Sequence, residues 1–310
     1  MGQINILYCF DSKFWRMAAV SMQTILQTAA PDTNVKIYAM VSPGTKGYRH
    51  IKKHLDKHPR CNGFVWHVVD PAENPFDGYE HSRWSPVIWY RLFAHRVFPE
   101  IDKILYLDSD TLVCRDLSEL FNTDLTDLCI GAVRDLAPVN DPYHPQGIFV
   151  KKFSADYLNN GPYYNSGVLL LNLREIEKNE KLLFETKIPL YYPDQDLLNA
   201  AFVGKIKSLP LKYNLAPGIL VPVFFPPEEA REALYGGHVI VHCYSIKPYY
   251  KKQAPDAVFD MFSRASREMD LDPQKFEKWE AAASPKKDTY IPHVKKKNQT
   301  LYLFGIPIKI

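Results

Sequence analysis

The chain of 310 residues is 46% apolar and 24% charged, an ordinary globular composition with room for a large α/β domain and an appendage. Its net charge of +3 is too small to point to nucleic acid, and its five scattered cysteines, without Cys-x-x-Cys spacing, fit neither a disulfide scaffold nor a structural zinc site. No stretch approaches the roughly 18 apolar residues of a transmembrane helix and no secretory leader is seen, so a cytoplasmic setting is expected.

Residues 3–10 read as a buried strand ending at Asp11, followed by a helical pattern over 14–29 in which Met17, Val20, Ile25 and Leu26 fall near helical spacing. A strand at 35–41, a basic helix at 46–57 and a strand at 64–69 continue the alternation, which implies parallel strands with helices on the faces. A loop rich in Pro, Gly and aromatics leads to a helix starting at Ser85-Pro86, where proline suits the first turn, and carrying Trp89, Tyr90, Arg91, Leu92 and Phe93. The apolar run that follows breaks at Asp108 and Asp110 and resumes at Thr111-Leu112-Val113. A short helix at 117–121 and a strand at 129–134 precede residues 136–163, whose Pro, Asn, Asp and Tyr read as an ordered loop or lid. Strand 166–172, a charged helix 174–187, a helix 194–203 and a strand 238–243 complete the expected core. After about residue 250 the composition turns to charge-rich helices at 255–269 and 273–283 and a basic, apolar tail. The expected division is a 1–250 domain with a 251–310 extension.

Three Asp-x-Asp triplets occur, and context separates them. Asp270/Asp272 precede Pro273 and read as cap and turn residues, while Asp194/Asp196 open a helix, where acids suit the first turn. Asp108/Asp110 instead end a strand too apolar for the surface. In an extended backbone, side chains two apart share a face, and burying two carboxylates together is costly unless something offsets their charge. A hard divalent cation does so. Ligands of open α/β sheets bind beyond the carboxyl ends of strands, and Asp11, Asp135, Asn165 and His242 stand near such ends too. Adding His242 to the two aspartates makes a mixed O/N set better suited to Mn2+ than to Ca2+. The competing reading of His242 is a hydrogen-bonded core histidine. Lys247, five residues on in a Pro-stiffened turn, puts a cation where a diphosphate could meet it.

The blocks Ile104–Asp110, Tyr163-Tyr164-Asn165-Ser166-Gly167-Val168-Leu169-Leu170-Leu171-Asn172, Asp194-Gln195-Asp196-Leu197-Leu198-Asn199 and His242…Lys247-Pro248 resemble, in the same order over roughly residues 3–250, glycosyltransferase family 8. That family includes bacterial lipopolysaccharide galactosyl- and glucosyltransferases and the glycogenins. The resemblance implies a GT-A fold, a single Rossmann-like mixed, mainly parallel sheet flanked by helices. It also implies retaining transfer from UDP-glucose or UDP-galactose to a glycan or glycolipid acceptor, with Mn2+ (Mg2+ in its place). Residue by residue, it makes Asp108, Asp110 and His242 metal ligands, puts Asp11 at the uracil with Cys9 beside it, and sets Ser109 within the nucleotide-binding triplet. Lys247 matches the lysine at the diphosphate, Arg91 an arginine near the donor sugar, and Asp135, Asn165, Asp194 and Gln195 residues around the transferred sugar. The family has six steps and a glycine between the histidine and the lysine; here there are five and none, Tyr249 replaces a tryptophan, and Lys13 replaces a small polar residue. A retaining path needs either a covalent nucleophile, for which Asp194 is the one candidate in the matched blocks, or front-face attack with Asp194 binding sugar hydroxyls, the reading preferred here.

Two other functions compete. A sugar nucleotidyltransferase would need a Gly-rich basic loop after the first strand, and Tyr8–Phe14 has none; a catalytically silent nucleotide-sugar binder remains compatible with the short His242–Lys247 loop. In the tail 284–310, Lys286, Lys287 and Lys295–Lys297 flank aromatic and aliphatic residues, as in a segment resting on an anionic membrane surface or a solvated run docking on its own domain. Tyr143, Tyr163 and Tyr164 read equally as acceptor-stacking or packing aromatics.

Overall fold

The computed structural model describes residues 2–77, 85–135, 162–188, 190, 192–216, 237–283, 300–303 and 306–309. Strand β1 (Gly2–Phe10) pairs in parallel with β2 (Thr33–Val41), and β2 with β3 (Cys61–Val68). The chain then crosses to the other side of β1, where β4 (Lys103–Leu107) joins it in parallel. Beyond β4, the strand β7 (Tyr164–Asn172) runs antiparallel to both β4 and β6 (Ile130–Arg134), and β8 (Ile206–Leu209) adds in parallel to β6. The order β3-β2-β1-β4-β7-β6-β8 therefore has its switch point between β1 and β4, where a crevice opens beyond the strand ends. Asp11 follows β1 there, and Asp108 follows β4.

Period-two alternation sends successive strand side chains into two apolar layers. Ile4, Ile6, Tyr8 and Phe10 of β1, with Leu105 and Leu107 of β4, face one layer, which α1 (Trp15–Thr28), α2 (Tyr48–Leu55) and α4 (Ser118–Phe121) cover. Leu7, Cys9, Ile104 and Tyr106 face the other, under the 3-10 helix Pro86–Phe93, α3 (Ala94–Val97), α5 (Leu173–Asn179), α6 (Lys181–Glu185) and α7 (Pro193–Ala201). Helix α8 (Asp256–Glu268) lies along α1 and contributes Phe262 and Ala265 to the first layer; Phe276, opening α9 (Phe276–Ala283), joins them.

Several elements depart from the sequence reading. The strand foreseen at 238–243 does not enter the main sheet: β9 (Ile240–His242) pairs antiparallel with β5 (Thr111–Val113) in a separate two-stranded sheet. The helix foreseen from Ser85-Pro86 is a 3-10 helix. The charged helix expected over 174–187 is two helices meeting at Glu180, whose carboxylate turns to His95, 2.8 Å away, and Arg96. Strand β8 was not foreseen, because its Ile-Lys-Ser-Leu sequence is short and mostly half-buried. The loop at 136–161, with Tyr143, and most of the tail lie outside the described residues; the tail's described part is a hairpin of β10 (Thr300–Leu303) and β11 (Ile306–Lys309). All five cysteines are free thiols, and among the described residues no helix is long and apolar enough to cross a membrane.

Candidate active site

The two aspartates converge through a turn, not through the pleat of a continuous strand. The Thr111 amide and hydroxyl both donate to the Asp108 carbonyl, at 3.2 and 2.9 Å, and this closes the chain on itself between β4 and β5. Ser109, at the centre of that turn, is buried. In the β5–β9 ladder Thr111 stands opposite His242, so the imidazole arrives beside the residue just ahead of it, and the Cys243 amide donates to the Asp110 carbonyl at 2.9 Å. His242 Nε2 thus lies 3.3 Å from Asp110 Oδ1 and 3.5 Å from Asp108 Oδ2. One potential ligand atom from each of the three residues falls within 4.8 Å of the others.

Gly167 makes this approach possible. A Cβ at that position would stand 2.0 Å from His242 Cε1 and 2.8 Å from Asp108 Oδ2, so a larger residue would occupy the space of the ring and the carboxylate. Its backbone contributes on both sides: the carbonyl accepts from the Asp108 amide at 2.8 Å and the amide donates to Asn165 Oδ1 at 2.9 Å.

Behind the aspartates lies Arg91, 5% exposed on the 3-10 helix. Its Nη1 donates to the Ser166 carbonyl at 2.8 Å and stands 3.1 Å from Asp108 Oδ1 and 3.5 Å from Asp194 Oδ2, while the guanidinium stacks on the Tyr106 ring at 4.1 Å. The Tyr106 hydroxyl donates to Asp108, its neighbour on the same face two residues on. Burial pushes the Asp108 carboxyl up, but Arg91, followed by His242 and Tyr106, holds it below the ordinary carboxylate range. Asp194 goes the other way: burial raises it, and the nearby arginine does not fully offset that. For His242, burial works against the charged ring, yet Asp110 and Asp108 outweigh it and raise the pKa to about 9.

Asp194, Gln195 and Asp196 come from the first turn of α7 and take separate tasks. Asp196 is internal, accepting from the Tyr163 hydroxyl at 2.6 Å and the Tyr192 amide at 2.8 Å. Gln195 accepts from the Ser166 amide at 2.9 Å and donates to Tyr163 at 3.0 Å and more weakly to Asp135 Oδ2 at 3.4 Å, which also receives Asn165 Nδ2 at 3.1 Å. Tyr163 and Tyr164 are buried packing residues. Asp11 does not cap α1; its Oδ1 accepts from the Lys13 amide at 2.8 Å in a turn ahead of the helix. Cys9 is buried on the face of Arg91, and burial pushes its thiol far up.

Beside Asp110 opens a cleft of about 570 Å³, continuous with solvent, lined by Lys13, Phe14, Tyr244 and Lys247 among others. Phe14 is 38% exposed, and Tyr249, which also lines the cleft, stacks on Phe276 at 5.7 Å. Gly167 was visible in its motif without a role, and nothing in Tyr213-Asn214-Leu215 announces that Asn214 faces His242.

The donor set suits a divalent cation. His242 Nε2 is buried and makes no directed hydrogen bond despite two carboxylates within 3.5 Å, as for an atom meant to coordinate. Sheet order, layers and the placing of the site are those of a GT-A fold. The chain belongs to glycosyl transferase family 8, whose profile matches residues 5–253.

A putative glycosyltransferase of Haemophilus influenzae is 27% identical over 225 residues, 69% of this chain and 64% of that protein. A lipopolysaccharide 1,2-glucosyltransferase of Escherichia coli K12 is 32% identical over 138 residues, 42% of this chain and 39% of that one. The match thus spans less than two thirds of either relative. Among solved structures, galactosyltransferase LgtC in complex with donor and acceptor sugar analogs has the same fold, with a TM-score of 0.69 at 22% identity over 89% of this chain and 100% of its own. The bifunctional glycosyltransferase WbbM gives 0.71 at 20% identity, over 90% of this chain and 52% of its own.

Proposed function

We propose that the chain is a retaining hexosyltransferase that moves glucose or galactose from a UDP-sugar to a glycan or glycolipid acceptor of the lipopolysaccharide or capsule type. The observation that carries this reading is the Asp108–Asp110–His242 group, whose buried Nε2 faces both carboxylates, set beside a cationic cleft at the switch point of the sheet. These three residues would hold Mn2+, or Mg2+ in its place. Such an ion, when bound, stabilises charge developing on a diphosphate leaving group. Lys247 and Lys13 add positive charge along the same cleft, and Phe14 offers an exposed ring face suited to a base. In this reading Asp11 and Cys9 border the nucleotide from the end of β1, with Ser109 in the turn.

Arg91 locks Asp108 to Asp194, so the ligand turn and the sugar side of the site share one buried cation. Asp194 Oδ2 is buried with Arg91 Nη1 3.5 Å away and no closer hydrogen bond, which leaves it able to accept from sugar hydroxyls. Asp135, Asn165 and Gln195 complete that polar wall. Held by Arg91, Asp194 fits hydroxyl binding during front-face transfer, in which the departing UDP oxygen takes the acceptor proton. The lipopolysaccharide 1,2-glucosyltransferase relative supports a surface-glycan acceptor.

Incubation with UDP-glucose or UDP-galactose, Mn2+ and an oligosaccharide acceptor should give a product whose new anomeric proton carries the α configuration by NMR. A β product contradicts retention, and consumption of UTP with a sugar 1-phosphate would assign the chain to nucleotidyl transfer instead.

A further inference from the structure

We propose that Asn214 is a positioning residue that keeps the His242 ring proton on Nδ1 and so presents Nε2 to the cation. The inference rests on the metal-site reading above and concerns a residue outside the Asp108–Asp110–His242 group.

Donors and acceptors of fixed direction connect Gly167 to His242. The Gly167 backbone amide can only donate, and it donates to Asn165 Oδ1 at 2.9 Å. The other end of the Asn165 amide, Nδ2, reaches Asp135 Oδ2 at 3.1 Å, an oxygen that accepts when ionised. Asn165 is thereby held from both ends, with its oxygen toward Gly167. That oxygen stands 2.8 Å from the Asn214 side chain, which must therefore turn its Nδ2 to it. The remaining end of Asn214 is its oxygen, 3.0 Å from His242 Nδ1. An oxygen that only accepts requires Nδ1 to carry a proton, which leaves the Nε2 lone pair for the cation once that atom is coordinated.

Amide orientation is ordinarily an assignment, but here a backbone N–H at one end of the relay fixes it. Asn214 is 6% exposed and His242 2%, so water does not compete for either amide end. Gly167 acts twice: its carbonyl fixes the Asp108 backbone, and its amide sets the relay to His242. Asp108, after β4, and His242, on the side sheet, are thus registered to one residue of β7.

The test measures Mn2+ affinity from the EPR signal of the free ion, together with 15N spectra of histidine-labelled protein loaded with diamagnetic Mg2+. The wild type should show His242 protonated at Nδ1 and bare at Nε2. Asn214→Leu, similar in shape without an acceptor, should weaken Mn2+ binding by about 10- to 100-fold. Asn165→Ala should weaken binding when residue 214 is Asn, because the Asn214 amide is then free to turn. In Asn214→Asp one carboxylate oxygen accepts from Nδ1 while the other meets the Asn165 oxygen, so the rescue is read in Asn165→Ala/Asn214→Asp, where that clash is gone and affinity should return toward that of the wild type. Mn2+ binding by Asn214→Leu equal to the wild type, or a proton on Nε2 in the Mg2+-loaded protein, overturns the positioning role alone. A wild type that binds no Mn2+ overturns the metal site itself, and this role with it.

Discussion

At the scale of single residues, the site depends on one glycine as much as on its charges. Gly167 leaves room for the His242 ring and the Asp108 carboxylate at once, and no side chain can share that space. Gly167→Ala should therefore keep the sheet while weakening Mn2+ binding by about 10- to 100-fold, the cost typical of disturbing a ligand's supporting shell. Calorimetric titration with circular dichroism checks both halves; unaltered affinity would mean that the ring can move without losing its role. Asp108, Asp110 and His242 were legible in the sequence because two charges interrupting an apolar run demand a compensating partner. The reason for their convergence was not. The sequence suggests a pleated strand, whereas the Asp108 carbonyl accepts two hydrogen bonds from Thr111 and makes a turn. Asn214 was hidden because its function lies in a contact 28 positions away in the chain.

Among elements, the parallel half of the sheet is plain in the sequence, since β1, β2 and β4 are apolar runs buried on both faces. Short strands are harder. β5 and β9 have three residues each, and periodicity alone cannot tell whether such a run extends the main sheet or starts another. That distinction matters, because it is the side sheet that brings His242 opposite Thr111. Helix α8 illustrates the same limit. Its charge-rich sequence suggests a peripheral extension, yet Phe262 is fully buried in the layer covered by α1. Phe262→Ala should cost about 3–5 kcal/mol, read as a lower urea midpoint with an unchanged slope. A loss under about 1 kcal/mol would show that α8 packs outside the cooperative core.

For the molecule as a whole, the fold places the site before any one residue does. The crossover between β1 and β4 opens a crevice, the turn after β4 supplies two carboxylates, the side sheet supplies the imidazole, and α7 closes the far wall with Asp194. Family-level blocks made this arrangement legible over most of the chain, but they fixed neither donor nor acceptor. On the proposed function, the Asp108–Asp110–His242 group makes sugar transfer depend on a divalent cation. UDP release from UDP-glucose and UDP-galactose, measured in Mn2+ or EDTA for the wild type and Asp110→Asn, tests this dependence. UDP should be released with Mn2+ and not in EDTA, and release should fall about 100-fold or more in the variant, whose circular dichroism and melting temperature stay near those of the wild type. Release that persists in EDTA, or that Asp110→Asn leaves unchanged, would contradict it.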